Sequence, residues 1–308
     1  MSTEVYVSIL MTIVAASTPL LLAALGELVV EKSGVLNLGV EGMMLLGAVA
    51  AAIAGLTTGS HVLALIAATC AAALGALVFA VLTLSLTANQ VATGLALTIF
   101  GTGVSSLGGA GFVGKPLERL PALFPQALAD HPLLRVLFGY NGLIYASVAL
   151  VGAVAWFLKR TRAGLILRAV GEADESAHAL GYPVIRVRYL AVLFGGAMAG
   201  LAGACFSLSL TPMWAERMTA GRGWIALALV VFSAWKPWRL LAGAYLFGAM
   251  MIFELQAKAM GLNFVAPEAL ATLPYVATIA VLTVISASRN SAALRAPACL
   301  GKPFRAAN

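Results

Sequence analysis

Asn37 and Glu41 are polar side chains that lie four residues apart within an apolar stretch of the chain. This spacing places them on one face of a helix. A carboxylate inside a membrane span is costly and usually faces a cavity or a partner. Glycines recur through residues 33–47 and would permit the breaks found in discontinuous helices. We therefore expect Asn37 and Glu41 to line a passage for a solute. A hydrated helix end at Glu41 is the alternative.

A second polar group, formed by Asn89, Gln90 and Thr93, lies at the start of another predicted span. A polar residue at a helix start can cap it by accepting a hydrogen bond from a free backbone N–H group. Polar residues within spans can also mark a solute pathway. Both interpretations stay open, and these three residues join the candidate passage.

The acidic segment 171–181 is predicted to form one short helix. Glu172, Asp174 and Glu175 crowd its first turn, where the helix dipole favours negative charge. Gly181 and a following proline supply the stop. About ten residues are too few for a helix that is stable alone in water. The rest of the protein or a partner must hold it, unless it is an ordinary solvated loop helix.

Small residues form a third pattern, in the segment 195–204. Gly196 and Gly200 make a GxxxG motif, and Ala199 with Gly203 forms a second small pair. Small faces let membrane helices approach closely. We therefore predict a helix-packing role for these four residues.

Several other chemistries are excluded by what the motifs lack. Residues 109–115 match the start of a phosphate-binding loop, but Pro116 stands where that motif needs Ser or Thr. ATP binding by this chain is therefore rejected. The three His and three Cys residues are too scattered for a metal site or a catalytic base. We expect neither a metal nor a cofactor on this chain, and no nucleic-acid partner.

The elements that position these residues must be membrane helices. Of the 308 residues, 61% are hydrophobic and 10% are charged, whereas soluble domains have about 25% charged residues. Long unbroken apolar runs favour helices over a membrane barrel. We predict an all-α, polytopic membrane bundle that forms one domain over residues 1–308. It has about nine spans, at 5–30, 35–56, 61–86, 91–113, 142–158, 189–213, 223–235, 240–258 and 268–287.

The Lys and Arg residues predict how the chain is oriented, because these residues are retained on the cytoplasmic side. With nine spans, six of the 19 Lys and Arg residues fall on the extracytoplasmic side of the membrane and the other 13 fall on the cytoplasmic side. The inside set clusters in the loop 159–188 and in the tail 288–308. We therefore expect an extracytoplasmic N-terminus, a cytoplasmic loop and a cytoplasmic tail.

The chain resembles the inner-membrane permease subunits of bacterial ABC importers for nucleosides and simple sugars. Residues 31–47 resemble a signature of these subunits, and the Glu-Gly-Met-Met portion at 41–44 is closer to the nucleoside branch than to the ribose branch. Parts of 168–204 are similar to the family's cytoplasmic coupling loop and the span after it. Residues 221–228 resemble a further block. The likeness covers most of 27–248.

This resemblance implies a division of labour. The chain would pair with a second permease that is similar but distinct, with a cytoplasmic ATPase and with an extracytoplasmic substrate-binding protein. ATP and magnesium would be bound by the ATPase, and the solute would be a nucleoside, a purine-like base or a simple sugar. The short helix would seat in a groove of the ATPase, with Ala177 and Gly181 at the contact. The coupling residues would be Gly171, Glu172, Asp174, Glu175, Ala177 and Gly181.

Two other classes of function were weighed against this one. An ion-coupled secondary transporter would show two similar halves with matched broken helices, and the sequence has no convincing repeat. A membrane enzyme needs clustered His, Asp or Glu residues near one membrane face, and the three His residues are far apart.

Overall fold

The computed structural model describes residues 3–125, 131–259, 272, 276, 279–280, 283 and 296–304. Apart from three isolated β-bridges, the regular structure of these residues is helical. The helices are α1 (Thr3–Lys32), α2 (Val40–Thr58), α3 (His61–Ala80), α4 (Gln90–Gly109), α5 (Pro132–Phe138), α6 (Gly142–Arg160), α7 (Arg162–Glu172), α8 (Asp174–Ala179), α9 (Val184–Cys205), α10 (Arg222–Phe232) and α11 (Pro237–Ala259).

Seven described helical stretches are long and apolar enough to cross a membrane, which confirms the all-α membrane bundle. The predicted span 223–235 is instead the 11-residue helix α10. At 1.5 Å per residue it reaches only about 16 Å, roughly half a bilayer core. The predicted span 268–287 lies largely outside the described residues. The seven stretches are Glu4–Lys32, Val40–Thr58, His61–Ser85, Gln90–Phe112, Gly142–Arg160, Val184–Leu210 and Pro237–Ala257.

Helix α9 lies at the centre of the bundle, between α1, α2 and α3. Its small residues meet the backbones of its neighbours: Gly203 faces Met44 of α2, and Gly200 faces Ala68 of α3. Gly196 lies against α3, and Ala199 is fully buried in the main core. Because membrane helices gain no hydrophobic driving force from lipid, this close approach is what holds them together.

Replacing Gly203 by Val should therefore destabilise the bundle. A Cβ at this position would overlap the backbone oxygen of Met44, and overpacking of this kind costs about 1–3 kcal/mol. We expect a lower thermal midpoint by fluorescence-detected size exclusion in detergent. Gly103→Val on α4 is the matched control, since a Cβ there meets nothing within 4 Å. Equal midpoints for the two variants would contradict the packing role.

The connections at one end of α1 gather into what we call the basic end. It consists of the break 33–39, the loop 159–188, the turn 233–237 and the tail 296–304. The tail docks on it directly. The N–H of Gly301 donates to the carbonyl of Gly34 (3.1 Å), and the N–H of Cys299 donates to the carbonyl of Gly171 (2.9 Å). The first turn of α1 lies at the opposite end of the same helix, beside Arg119 and Arg135.

Candidate functional site

The break between α1 and α2 is built around Asn37. Its backbone N–H and side-chain amide donate to the carboxylate of Glu27 (3.1 and 3.4 Å), and its side-chain oxygen accepts from the N–H of Gly39 (3.0 Å). Such local side-chain bonds compete with helix formation, and α2 begins only at Val40. The prediction that Asn37 and Glu41 share a helical face is therefore wrong.

The members of the second polar group, Asn89, Gln90 and Thr93, have different roles, and one of them is the helix cap that the sequence left open. The side-chain oxygen of Asn89 accepts from the N–H of Ala92 (3.0 Å) and caps α4. The side-chain oxygen of Gln90 instead accepts from the N–H of Leu36 (2.8 Å) and so joins α4 to the break. Thr93 is half-buried one turn further along the helix.

Glu41 is bound to the start of the half-length helix α10. One carboxylate oxygen accepts from the hydroxyl of Thr219 (2.6 Å) and the N–H of Gly221 (2.8 Å), and the other accepts from the N–H of Gly223 (2.6 Å). The first N–H groups of a helix have no partner within it and carry partial positive charge. The buried carboxylate satisfies them from outside, so Glu41 is not a hydrated helix end.

The other end of α10 is held by a second carboxylate, Glu31 of α1. Glu31 accepts from the indole N–H of Trp235 (2.6 Å), and the ammonium of Lys32 lies 5.9 Å from the centre of the same ring. Ala234 and Trp235 both have positive φ, at 50° and 54°, a conformation that is costly for residues with a side chain. The Glu31 bond and the burial of the indole hold the turn in this conformation.

Three of the five polar residues predicted to line a passage thus hold two broken elements in place. Asn37 and Gln90 meet at the break, Glu41 secures the start of α10, and Asn89 lies apart at the surface. Broken helices with polar ends at membrane depth are a recurrent feature of transporter binding regions. In this conformation the side chains of Asn37 and Glu41 and the side-chain oxygen of Gln90 bond within the chain, whereas the buried side-chain nitrogen of Gln90 has no partner among the described residues.

The acidic segment contains a break that the sequence analysis missed. Gly171 and Glu172 end α7, the chain turns at Ala173, and Asp174 and Glu175 begin the six-residue helix α8. The prediction of one short helix over 171–181 is therefore wrong. The backbone of Gly171 lies directly against that of Lys32. A continuous helix would carry the chain past this contact.

The predicted contact face of Ala177 and Gly181 is also not formed. Ala177 is 3% exposed and packs inward against Val170, Val184 and Phe304. Gly181 is exposed and has a φ of 85°, in the turn that follows α8. The outward surface of α8 is formed by Glu175, Ser176, His178, Ala179 and Leu180.

A buried arginine ties α8 to the tail. The guanidinium of Arg188, fully buried on α9, forms an ion pair with Asp174 (2.9 Å) and donates to the backbone oxygens of Ser33 (3.1 Å) and Lys302 (3.5 Å). Asp174 also accepts from the thiol of Cys299 (3.3 Å). A charge removed from water needs such a set of partners. Burial raises the pKa of the Cys299 thiol, which keeps it protonated and able to donate.

Sequence reasoning missed the residues that hold these sites, namely Glu27, Glu31, Arg188 and the tail 296–304. Glu27 and Glu31 carried a usable signal, because each is a carboxylate within an apolar span, like Glu41. Arg188 was counted only as a topological charge. The tail gave no sequence signal, since its contacts lie more than 100 positions away along the chain.

A polar cavity of about 570 Å³ opens at the end of the bundle opposite the basic end. Its wall includes Glu4, Arg119, Arg135 and Asn141. Tyr140, which also lines it, is 7% exposed, and burial raises the pKa of its hydroxyl to about 12. The hydroxyl therefore stays neutral and can donate a hydrogen bond. A polar cavity at this end could admit a hydrophilic solute.

Comparisons with known proteins place this helical bundle in a family. Residues 9–282 match the family described as the permease component of branched-chain amino acid transport systems. No solved structure matches the chain. Among the described residues, no group of three or more His, Cys, Asp or Glu residues could hold a metal ion.

Three curated relatives match over most of their length. The "Putative glucose ABC transporter permease protein" of Haloferax volcanii is 41% identical over 93% of this chain and 94% of its own. The guanosine ABC transporter permease of Bacillus subtilis is 31% identical over 90% and 92%, respectively. The nucleoside ABC transporter permease of Lactococcus lactis is 29% identical over 87% and 89%. This chain therefore belongs to the family of branched-chain amino acid transport system permease components, and it is the permease subunit of an ABC importer and not an enzyme.

Proposed function

We propose that this permease carries a nucleoside, a purine-like base or a simple sugar across the membrane. The observation that carries the proposal is the near full-length similarity to permeases named for glucose, guanosine and nucleosides. Glucose and guanosine both contain a sugar ring with several hydroxyl groups. The hydroxyl, amide and charged side chains of the polar cavity offer both donors and acceptors to such a group.

ABC permeases in general work with an ATPase and a substrate-binding protein. For this chain we propose that ATP and magnesium are bound by the ATPase alone and that the second permease is a similar but distinct chain.

The coupling surface is the outward face of α8, where Leu180 is 78% exposed. Helices commonly dock by placing apolar side chains in a groove of the partner, and the exposed Leu180 at the end of α8 is available for such a contact. Gly171, Asp174 and Ala177 position this surface from behind.

The proposed orientation puts the basic end in the cytoplasm and the N-terminus outside. The described tail contacts the break at Gly34, one full length of α1 away from Thr3. Lys159, Arg160, Arg162 and Lys302 all lie at that end, as expected from the retention of basic residues inside. The polar cavity then opens outward, towards a binding protein that delivers the solute.

The test is uptake by vesicles that contain the permease pair, the ATPase and the binding protein. We expect ATP-dependent accumulation of radiolabelled guanosine or glucose, and none of leucine, which serves as the control for the amino-acid description of the family. Free guanine and ribose, added as competitors, separate recognition of the base from recognition of the sugar. Uptake driven by an ion gradient without ATP would contradict the proposal, as would uptake of leucine alone.

A further inference from the structure

An apolar groove on the outer surface of the bundle has no role in the proposed function. It encloses about 500 Å³ between α1, α6, α7 and α9, a volume within the range of roughly 300–1,000 Å³ found for ligand pockets. All 13 of its lining residues are apolar. They include Val29, Phe157, Ile166, Leu167, Leu190 and Phe194.

Three cations lie beside this groove. Lys159, Arg160 and Arg162 are all exposed, and along the chain they fall between the lining residues Phe157 and Ala163. The nearest acidic residue that follows along α7 is Glu172, ten positions after Arg162 and so about 15 Å further along the helix. The part of the groove lined by Phe157 and Ala163 is therefore flanked along the chain by three positive charges.

The exposed side chains around the groove are of the kind found at the membrane interface, where acyl chains meet headgroups. Trp156, which lines it, is 63% exposed, and exposed tryptophans favour the membrane interface. Leu190 on the facing helix is 69% exposed, and Leu165 on α7 is 58% exposed. A short helix that exposes apolar residues beside cations, as α7 does, is typical of segments that lie in the interface plane.

We propose that this groove binds one anionic phospholipid. An acyl chain lies along the apolar wall, and the phosphate interacts with Lys159, Arg160 and Arg162. Basic pockets between membrane helices recognise anionic headgroups in this way. A neutral solute would leave the cations without a counter-charge, and a soluble peptide would not reach a wall that faces the bilayer core. Helix α7, which forms one wall of the groove, is followed directly by α8, so a bound lipid would stiffen the base of the loop.

Native mass spectrometry of the purified permease tests the site, with phosphatidylglycerol and phosphatidylcholine of identical acyl chains as probes. We expect preferential retention of one phosphatidylglycerol. Ala153 is an exposed groove residue, so Ala153→Phe should fill the groove and weaken this binding at least about tenfold. The triple change Lys159→Gln, Arg160→Gln and Arg162→Gln should weaken it by about a hundredfold, because each basic residue near an anionic lipid contributes about fivefold.

Two control variants add bulk or remove charge at residues that do not line the groove. Ala96→Phe adds the same bulk at an exposed site on α4, and the pair Lys236→Gln with Arg239→Gln removes exposed charge from the basic end away from the groove. Both should retain phosphatidylglycerol as the parent does. Equal retention of the two lipids by the parent would overturn the proposal, as would unchanged binding in Ala153→Phe. If Ala153→Phe instead separates the permease pair and leaves lipid binding intact, the groove is a subunit interface and the lipid assignment fails.

Discussion

Arg188→Gln is expected to abolish most of the stimulation of ATP hydrolysis by the solute. The change removes the cation paired with Asp174 and shortens the side chain that reaches the backbone oxygens of Ser33 and Lys302. Breaking a buried ion pair from one side costs about 3–5 kcal/mol. This cost comes from leaving the largely buried Asp174 carboxylate without a partner, and it favours release of α8 and the tail from the end of α1. We expect solute-stimulated ATP hydrolysis in reconstituted vesicles to fall at least about tenfold.

Hydrogen exchange separates this mechanism from general unfolding. The N–H groups of Cys299 and Gly301 bond to Gly171 and Gly34, so both should exchange faster when the tail is released, while amides in the middle of α9 stay protected. Arg186→Gln is the matched control, since Arg186 is exposed two residues earlier on the same helix. The same loss of hydrolysis in both variants would show that the Asp174 ion pair is not responsible.

Glu41→Leu is expected to abolish uptake by releasing the start of α10. Leucine is one atom shorter than glutamate and accepts no hydrogen bond, so the hydroxyl of Thr219 and the N–H groups of Gly221 and Gly223 lose their acceptor. Each buried donor left without a partner costs about 1–3 kcal/mol. We expect uptake to fall by more than about tenfold, measured with radiolabelled guanosine and glucose in the reconstituted vesicles.

Two companion variants locate the cause of this loss. Glu41→Gln keeps one acceptor oxygen at the start of α10 and should retain part of the uptake. Glu216→Gln alters an exposed carboxylate in the connection before α10 and should leave uptake unchanged. Because α10 is too short to span the membrane, its displacement should leave membrane abundance and ATPase association near parental levels. Parental uptake by Glu41→Leu would remove Glu41 from any role in the passage.

The sequence by itself determined the class of this protein. Its apolar composition and long uninterrupted runs specify membrane helices, because only helices satisfy their own backbone within lipid. The small residues of 195–204 marked a close-packed helix, and α9 is central in the bundle. The motifs at 31–47 and 168–204 indicate the permease family by themselves. These features are local, so a single stretch of sequence is enough to reveal them.

The tertiary structure decided which partners the polar side chains take. Glu41 and Thr219 are 178 positions apart, and Arg188 and Ser33 are 155 apart. No periodicity or spacing rule connects residues at such separations, whereas the cost of an unpaired buried charge forces each to find a partner once the helices pack. The same cause explains the wrong predictions. The spacing of Asn37 and Glu41 predicted one continuous helix, but the hydrogen bonds of the Asn37 side chain break it before Val40. Ala177 was predicted to lie at a contact surface, but it is buried because the tail packs against it.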